Sequence, residues 1–131
     1  MTGTIATEVA DRLFGAIEAG DLDAIRALYS PDVVVWHNVD QQVEDRDANL
    51  ATLGWVIHNL PGFRYTEIRR QASDTGFVQQ HVVTATNRAG RNVAVPACIV
   101  ATVQDGLITR IDEYLDSVGV ATLSERGFTK S

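Results

Sequence analysis

After Pro61-Gly62 the chain is cut by three hairpin-type turn signals, Asp74-Thr75-Gly76, Asn87-Arg88-Ala89-Gly90 and Asp105-Gly106. Between them, the segments at about 63–73, 77–87, 91–104 and 107–116 have the alternation and the β-branched content of strands. Strands joined in succession by tight turns form an antiparallel meander, and that fixes most of what the second half of the chain can become.

The first half follows a different period. Ala6, Val9, Ala10, Leu13, Phe14 and Ile17 fall on one helical stripe. Gly20 ends that helix and Asp21 caps a second, which carries Ala24, Ile25 and Leu28 and stops before Ser30-Pro31. Residues 32–38, Asp32 to Asn38, read as a strand, and a polar stretch from Asp40 to Asp47 leads into a third helix with Leu50, Leu53 and Ile57. Helices first and a meander afterwards predict an α+β layer fold of one domain, residues 1–131. The segment 91–104 is apolar on both faces, with Val93, Val95, Ala97 and Ile99 opposite Ala94, Cys98 and Val100. Such a strand needs cover on both sides, so a homodimer through the convex sheet face is expected. Pro96 within it predicts a bulge, because proline cannot donate to a ladder.

Composition narrows the function. Hydrophobic residues make up 45% of the chain, enough for a real core, and the net charge of −6 disfavours nucleic acid and acidic membrane surfaces. No apolar run is long enough to span a bilayer, and the start of the chain has no secretion-signal pattern. The single cysteine, Cys98, cannot form an internal disulfide, which suits a cytoplasmic protein.

Five positions carry the chemical argument. On the last strand Ile111, Glu113 and Leu115 share one face, while Arg110, Asp112, Tyr114 and Asp116 share the other. Glu113 therefore sits between apolar neighbours on the inward face, where a carboxylate is costly to ionise unless paired, as suits a general acid or base. On the strand 77–87, Phe77, Gln79, His81 and Val83 share a face, so His81 is a second proton-transfer candidate beside Gln79. A histidine and a carboxylate facing one cavity would form a coupled pair. On the first strand Val34, Trp36 and Asn38 fall together, with His37 opposite. Trp36 would supply an apolar wall and Asn38 an amide for a substrate oxygen, which suits a small hydrophobic ligand. His37, His58 and His81 lack metal-site spacing, glycine-rich phosphate loops are absent, and neither a metal nor a cofactor is expected.

The order of these pieces resembles a known family. The opening helix, Gly20-Asp21-Leu22-Asp23, then Tyr29-Ser30-Pro31-Asp32-Val33 running into a strand, is similar to the front half of SnoaL-like proteins of the nuclear transport factor 2-like superfamily. The stretch from Asp105 to Asp116 is similar to their last hairpin. The resemblance implies a cone-shaped, strongly curved mixed sheet, packed on three helices from the first half of the chain and enclosing an apolar cavity, usually in a dimer. It also implies a wide choice of chemistry, from polyketide cyclases and ketosteroid isomerases to epoxide hydrolases, dehydratases and inert binding domains. By this resemblance the tyrosine and asparagine of the limonene epoxide hydrolase branch fall on Trp36 and Asn38, its arginine and aspartate on Gln79 and His81, and its last carboxylate on Glu113. Loss of the arginine–aspartate pair argues against epoxide hydrolysis. The dehydratase branch places a histidine where His81 stands, with Glu18 or Asp40 as candidate partners. The expectation is a cofactor-independent acid–base enzyme of isomerase, dehydratase or cyclase type acting on a polyketide, terpenoid or steroid-like molecule. In it His81 moves the proton, Glu113 is its partner, Asn38 and Gln79 hold a substrate oxygen, and Trp36 forms the wall. A non-catalytic binding or dimerisation module and an epoxide hydrolase are the alternatives.

Overall fold

A computed structural model describes residues 2–125, with side chains from residue 5. Its elements run α1 (Thr2–Ala19), α2 (Leu22–Leu28), β1 (Tyr29–His37), β2 (Gln42–Glu44), α3 (Arg46–Asn59), β3 (Arg64–Ala72), β4 (Gly76–Thr86), β5 (Asn92–Gln104), β6 (Leu107–Leu115) and α4 (Ser117–Leu123). One curved, open, mixed sheet holds the six strands in the order β2-β1-β6-β5-β4-β3. The meander from β3 to β6 is antiparallel, and β1 joins it by pairing parallel to β6.

The helical stripe of α1 forms the centre of the core. Val9, Ala10 and Leu13 are almost fully buried, against Ile25 of α2 and Phe77, Ile99, Ala101 and Ile108 of the sheet. Gly20 takes a left-handed φ of 73° that closes α1, and the Asp21 carboxylate accepts the Ala24 N–H at 3.0 Å to start α2. Asp45 starts α3 in the same way, accepting from Ala48 at 2.9 Å. At Gly76 the backbone of β4 presses on β5, where an added Cβ would stand 2.0 Å from the Ala101 carbonyl oxygen. Among the described residues no helix is long and apolar enough to cross a membrane.

The structure corrects four expectations. Strand β1 starts at Tyr29, directly from α2, and a short strand β2 lies within the polar stretch before α3. A fourth helix, α4, follows β6, with Asp116 as its cap, and packs on β5 where Gly119 approaches Val95. The bulge foreseen at Pro96 is absent, since β4 and β5 pair without interruption from Gly76–Thr102 to Thr86–Asn92. The carbonyl of Pro96 faces Asp116 N at 3.5 Å, just past the end of β6, so the missing proline N–H faces the same side and no ladder bond is lost. Register shifts occur instead between Thr66 and Arg69 of β3, with Glu67 at φ 52°, and between Thr102 and Val103 of β5.

Candidate functional site

Side-chain alternation decides which groups face the helices. On β4 the inward set is Phe77, Gln79, His81 and Val83, all buried, and on β6 it is Ile111, Glu113 and Leu115, both as their sequence alternation implies. On β1 the phase is the opposite of that expected. Val33 and Val35 are buried inward, so His37 points inward as well, and Trp36 turns to the convex side, where its ring meets Tyr114 at 5.3 Å. A one-residue change of phase exchanges every side chain between the two faces.

The strand register then aligns a polar row. His37 pairs with Glu113, Glu113 with Ile99, Ile99 with Gln79, and Gln79 with Arg70, across five adjacent strands. At one end His37 Nε2 lies 3.1 Å from Glu113 Oε1, with both side chains less than one-fifth exposed. That bond, above all, raises the His37 pKa from its ordinary 6.5, with the charges of Glu113, Glu44 and Asp40 adding to it against the opposing effect of burial. Glu113 Oε2 has no partner among the described residues. Behind the pair, Glu44 approaches His37 Nδ1 at 4.0 Å and accepts from Asn49 Nδ2 at 2.9 Å and Thr52 Oγ1 at 2.5 Å. Asn49 in turn accepts the Tyr29 hydroxyl at 2.7 Å. Hydrogen bonds from α3 thus hold the Glu44 carboxylate behind His37, at ion-pair and not hydrogen-bond distance.

His37 and Glu113 open onto a cavity of about 360 Å³ between the sheet and the helices, walled by Leu13, Ile17, Leu53, Val56, Phe63 and Ile99. Val39, Trp55 and Ser124 stand at its rim. Tyr65 also lines it, with its ring edge-on to Phe14 at 4.8 Å and to Phe63 at 5.2 Å. The Tyr65 hydroxyl makes no hydrogen bond among the described residues, and burial, helped by Glu113, holds its pKa well above the ordinary value, so it is a neutral donor. Tyr29 is raised for the same two reasons.

The other candidate residues have different surroundings. Asn38 is committed to structure, because its amide oxygen accepts the Leu115 N–H at 2.8 Å and its nitrogen donates to the Leu115 carbonyl at 3.2 Å, extending the β1–β6 ladder past the strand end. Trp36, on the far side of the sheet, is not part of the cavity wall. His81 and Gln79 share the concave face with Glu113, but His81 Nδ1 bonds Gln79 at 2.8 Å and lies under the Phe14 and Tyr65 rings. Burial lowers the His81 pKa, with Arg70 acting in the same direction against Glu113. The imidazole beside Glu113 is therefore His37. Of the partners considered for His81, Glu18 accepts the Tyr65 N–H at 2.8 Å and Asp40 accepts the Gln42 N–H at 2.9 Å. Among the described residues no group of three His, Cys, Asp or Glu is placed to hold a metal ion.

Two signals for the missed residues were present. Val33, Val35 and His37 form an odd-numbered set as regular as the even-numbered one, and Phe63 and Tyr65 alternate at the start of β3.

A family model described as a SnoaL-like domain matches residues 10–111. Similar solved structures include a candidate polyketide cyclase from Xanthomonas campestris pv. campestris, 23% identical, covering 95% of this chain and 100% of its own, with a TM-score of 0.83. An LEH-like epoxide hydrolase of M. tuberculosis is 20% identical over 92% of this chain and 89% of its own, with a TM-score of 0.76. PrhC from Penicillium brasilianum is 14% identical over 94% and 87%, with a TM-score of 0.83. No curated protein matches the chain.

Proposed function

The chain belongs to the SnoaL-like domain family, and from that premise we propose that it is a cofactor-independent acid–base enzyme acting on a small, largely hydrophobic, oxygenated molecule of polyketide, terpenoid or steroid type. One observation carries this reading: in an apolar cavity, Glu113 has one oxygen held by His37 and the other without a partner among the described residues. A carboxylate oriented in this way is placed to act as a base. Its Oε2 takes a proton from the carbon beside a substrate carbonyl. The C–H electron pair moves to the carbonyl oxygen, and the resulting enolate accepts a hydrogen bond from the Tyr65 hydroxyl. A preorganised donor in a dry site lowers such a barrier by about 3 kcal/mol. Returning the proton from Glu113 to another carbon gives isomerisation; attack of the enolate on a second carbonyl, whose alkoxide takes that proton, gives cyclisation; and expulsion of a β-hydroxyl, which takes the proton and leaves as water, gives dehydration.

The test is hydrogen–deuterium exchange at the α-carbon of 2-tetralone in D2O, followed by NMR. The wild-type chain should accelerate exchange, and Glu113→Gln should reduce that acceleration by about 100-fold or more while the fold persists. Equal rates in the two proteins would remove Glu113 from the chemistry and favour a binding module with the same cavity. Epoxide hydrolysis is less well supported, because it called for a water shared by Glu113 and Asn38, and the Asn38 amide is bonded to Leu115.

The convex face supports a homodimer as part of the same proposal. Tyr114 and Val100 are 47% and 39% exposed there. An open groove of about 800 Å³ runs past Ile68, Val82, Pro96, Cys98 and Tyr114. Most of its lining comes from outward side chains, and neither His37 nor Glu113 borders it, so it suits a second copy of the sheet better than a substrate.

A further inference from the structure

Helix α3 fully buries one side chain, and that side chain is an amide. Asn49 is 3% exposed, while Leu50, Leu53 and Val56 on the same helix are only partly covered. A buried amide must have its hydrogen bonds made, and both ends of Asn49 are in use. The Tyr29 hydroxyl, kept neutral by burial above all, donates to Asn49 Oδ1 at 2.7 Å, which leaves Nδ2 to donate to Glu44 Oε1 at 2.9 Å. Thr52 Oγ1 donates to the other carboxylate oxygen, Glu44 Oε2, at 2.5 Å. Glu44 is thereby fixed through both of its oxygens.

Strand register brings that carboxylate to His37. Glu44 pairs with Val35, which is buried inward, and His37 is the next inward residue of β1. His37 Nδ1 stands 4.0 Å from Glu44 Oε1, and its Nε2 stands 3.1 Å from Glu113 Oε1. A carboxylate only accepts, so Nε2 carries a proton. A neutral ring would then leave a bare electron pair on Nδ1, the nitrogen near Glu44, whereas a second proton there is attracted by that carboxylate. The other groups around the ring do not oppose this. Those that titrate or carry charge are Glu113 of β6, Glu44 of β2, Asp40 in the turn after β1, and the neutral phenols Tyr29 of β1 and Tyr65 of β3. The cavity-lining residues of α3 and α4 are uncharged, and among the described residues no Lys or Arg lines the cavity.

We propose that Glu44 is a positioning residue that keeps His37 in its doubly protonated, cationic form beside Glu113, and so gives the cavity a fixed positive charge. The proposal rests on the acid–base reading of the cavity and deepens it. The imidazolium is the counter-charge of the Glu113 carboxylate before proton transfer. It remains in the cavity for the enolate once Glu113 has taken the proton. Asn49, Thr52 and Tyr29 serve this arrangement by holding Glu44 in place, which accounts for an amide at the one fully buried position of α3.

The test uses the full chain labelled with 15N. Long-range 1H–15N spectra follow the His37 ring across pH, and the exchange rate of 2-tetralone is measured over the same range. Wild-type His37 should carry both ring protons at neutral pH. Glu44→Gln keeps the size and a polar amide but removes the charge, and His37 should then bind its second proton about tenfold more weakly. The inflection that His37 puts into the pH–rate profile should move to lower pH by the same amount. Glu44→Asp, which keeps the charge, should retain most of the proton affinity. Thr52→Val, at an exposed position, frees one carboxylate oxygen and should weaken the affinity by a smaller factor than Glu44→Gln. An unchanged His37 titration in Glu44→Gln, or equal losses in Glu44→Gln and Glu44→Asp, makes Glu44 a support for α3 alone and overturns the proposal while the Glu113 reading stands. If Glu44→Gln does not fold, an unchanged titration in Thr52→Val overturns it in the same way. Equal exchange rates in wild type and Glu113→Gln, with His37 still answering to Glu44, would instead remove the base and spare the charge relation.

Discussion

His37 and Glu113 stand opposite each other in the parallel register of β1 and β6, 3.1 Å apart, one from each edge of the only parallel seam in the sheet among the described residues. The pair gives the fold a pH dependence with a definite sign. The His37 pKa is raised in the folded state, so its contribution to stability is complete below the unfolded value of 6.5 and is lost as pH rises through the higher folded value. His81 behaves oppositely: its lowered pKa contributes stability above 6.5 that is lost as pH falls through the folded value. Urea melts at several pH values should therefore show the stability gap between wild type and His37→Gln closing as pH rises, and a constant gap would contradict the pairing.

The same variant should also slow chemistry. His37→Gln keeps a neutral donor near Glu113 but removes the titrating proton, so α-proton exchange should fall by about 100-fold and the pH–rate profile should lose one limb. An unchanged profile would make His37 a structural residue.

The apolar cavity predicts a steric block. Val120 of α4 lines it and is half-buried, so Val120→Trp should fill the space from the α4 side. Binding of 2-naphthol should weaken by at least about tenfold with the melting temperature nearly unchanged, since the added ring occupies existing space. Calorimetry and a thermal melt separate the two effects.

Gly76 predicts a loss of stability. The Cβ of Gly76→Ala would fall 2.0 Å from the Ala101 carbonyl oxygen, and backbone on β5 cannot swing aside as a flexible side chain would. The cost should be about 3 kcal/mol by denaturant melts, at the upper end of ordinary substitutions.

Tyr114→Glu tests the convex face. It places a charge on the apolar strip beside Trp36, and sedimentation should show a dimeric wild type and a monomeric variant with the fold retained. Monomers in both cases would leave the face without a second copy.

The sequence revealed the α+β order and the inward faces of β4 and β6, because each strand keeps one two-residue phase: on β6 Ile111 and Leu115 alternate with Arg110, Asp112 and Asp116, and on β4 Phe77 sets the phase that Gln79, His81 and Val83 follow. It misled on β1. Val33 to Trp36 is apolar at every position, so alternation carries no phase, and the large ring of Trp36 looked like core when it belongs to the convex side. The phase comes from tertiary contact with β6, which no local pattern encodes. Helix α4 escaped for a related reason: Ser117–Leu123 is short, contains Gly119, and depends on the Asp116 cap and on packing against Val95. Tyr65 was legible in the alternation of β3 but drew no attention, since a phenol near a strand start is unremarkable until a cavity surrounds it.

The parallel seam also makes the His37–Glu113 pair a long-range contact. The strands that carry the two residues are separated along the chain by α3 and the whole meander, so their pairing closes a large loop, a kind of contact that slows folding. A chain with its helices and hairpins formed but this seam open lacks the ion pair, so the ring resonances of His37 report whether the seam is closed.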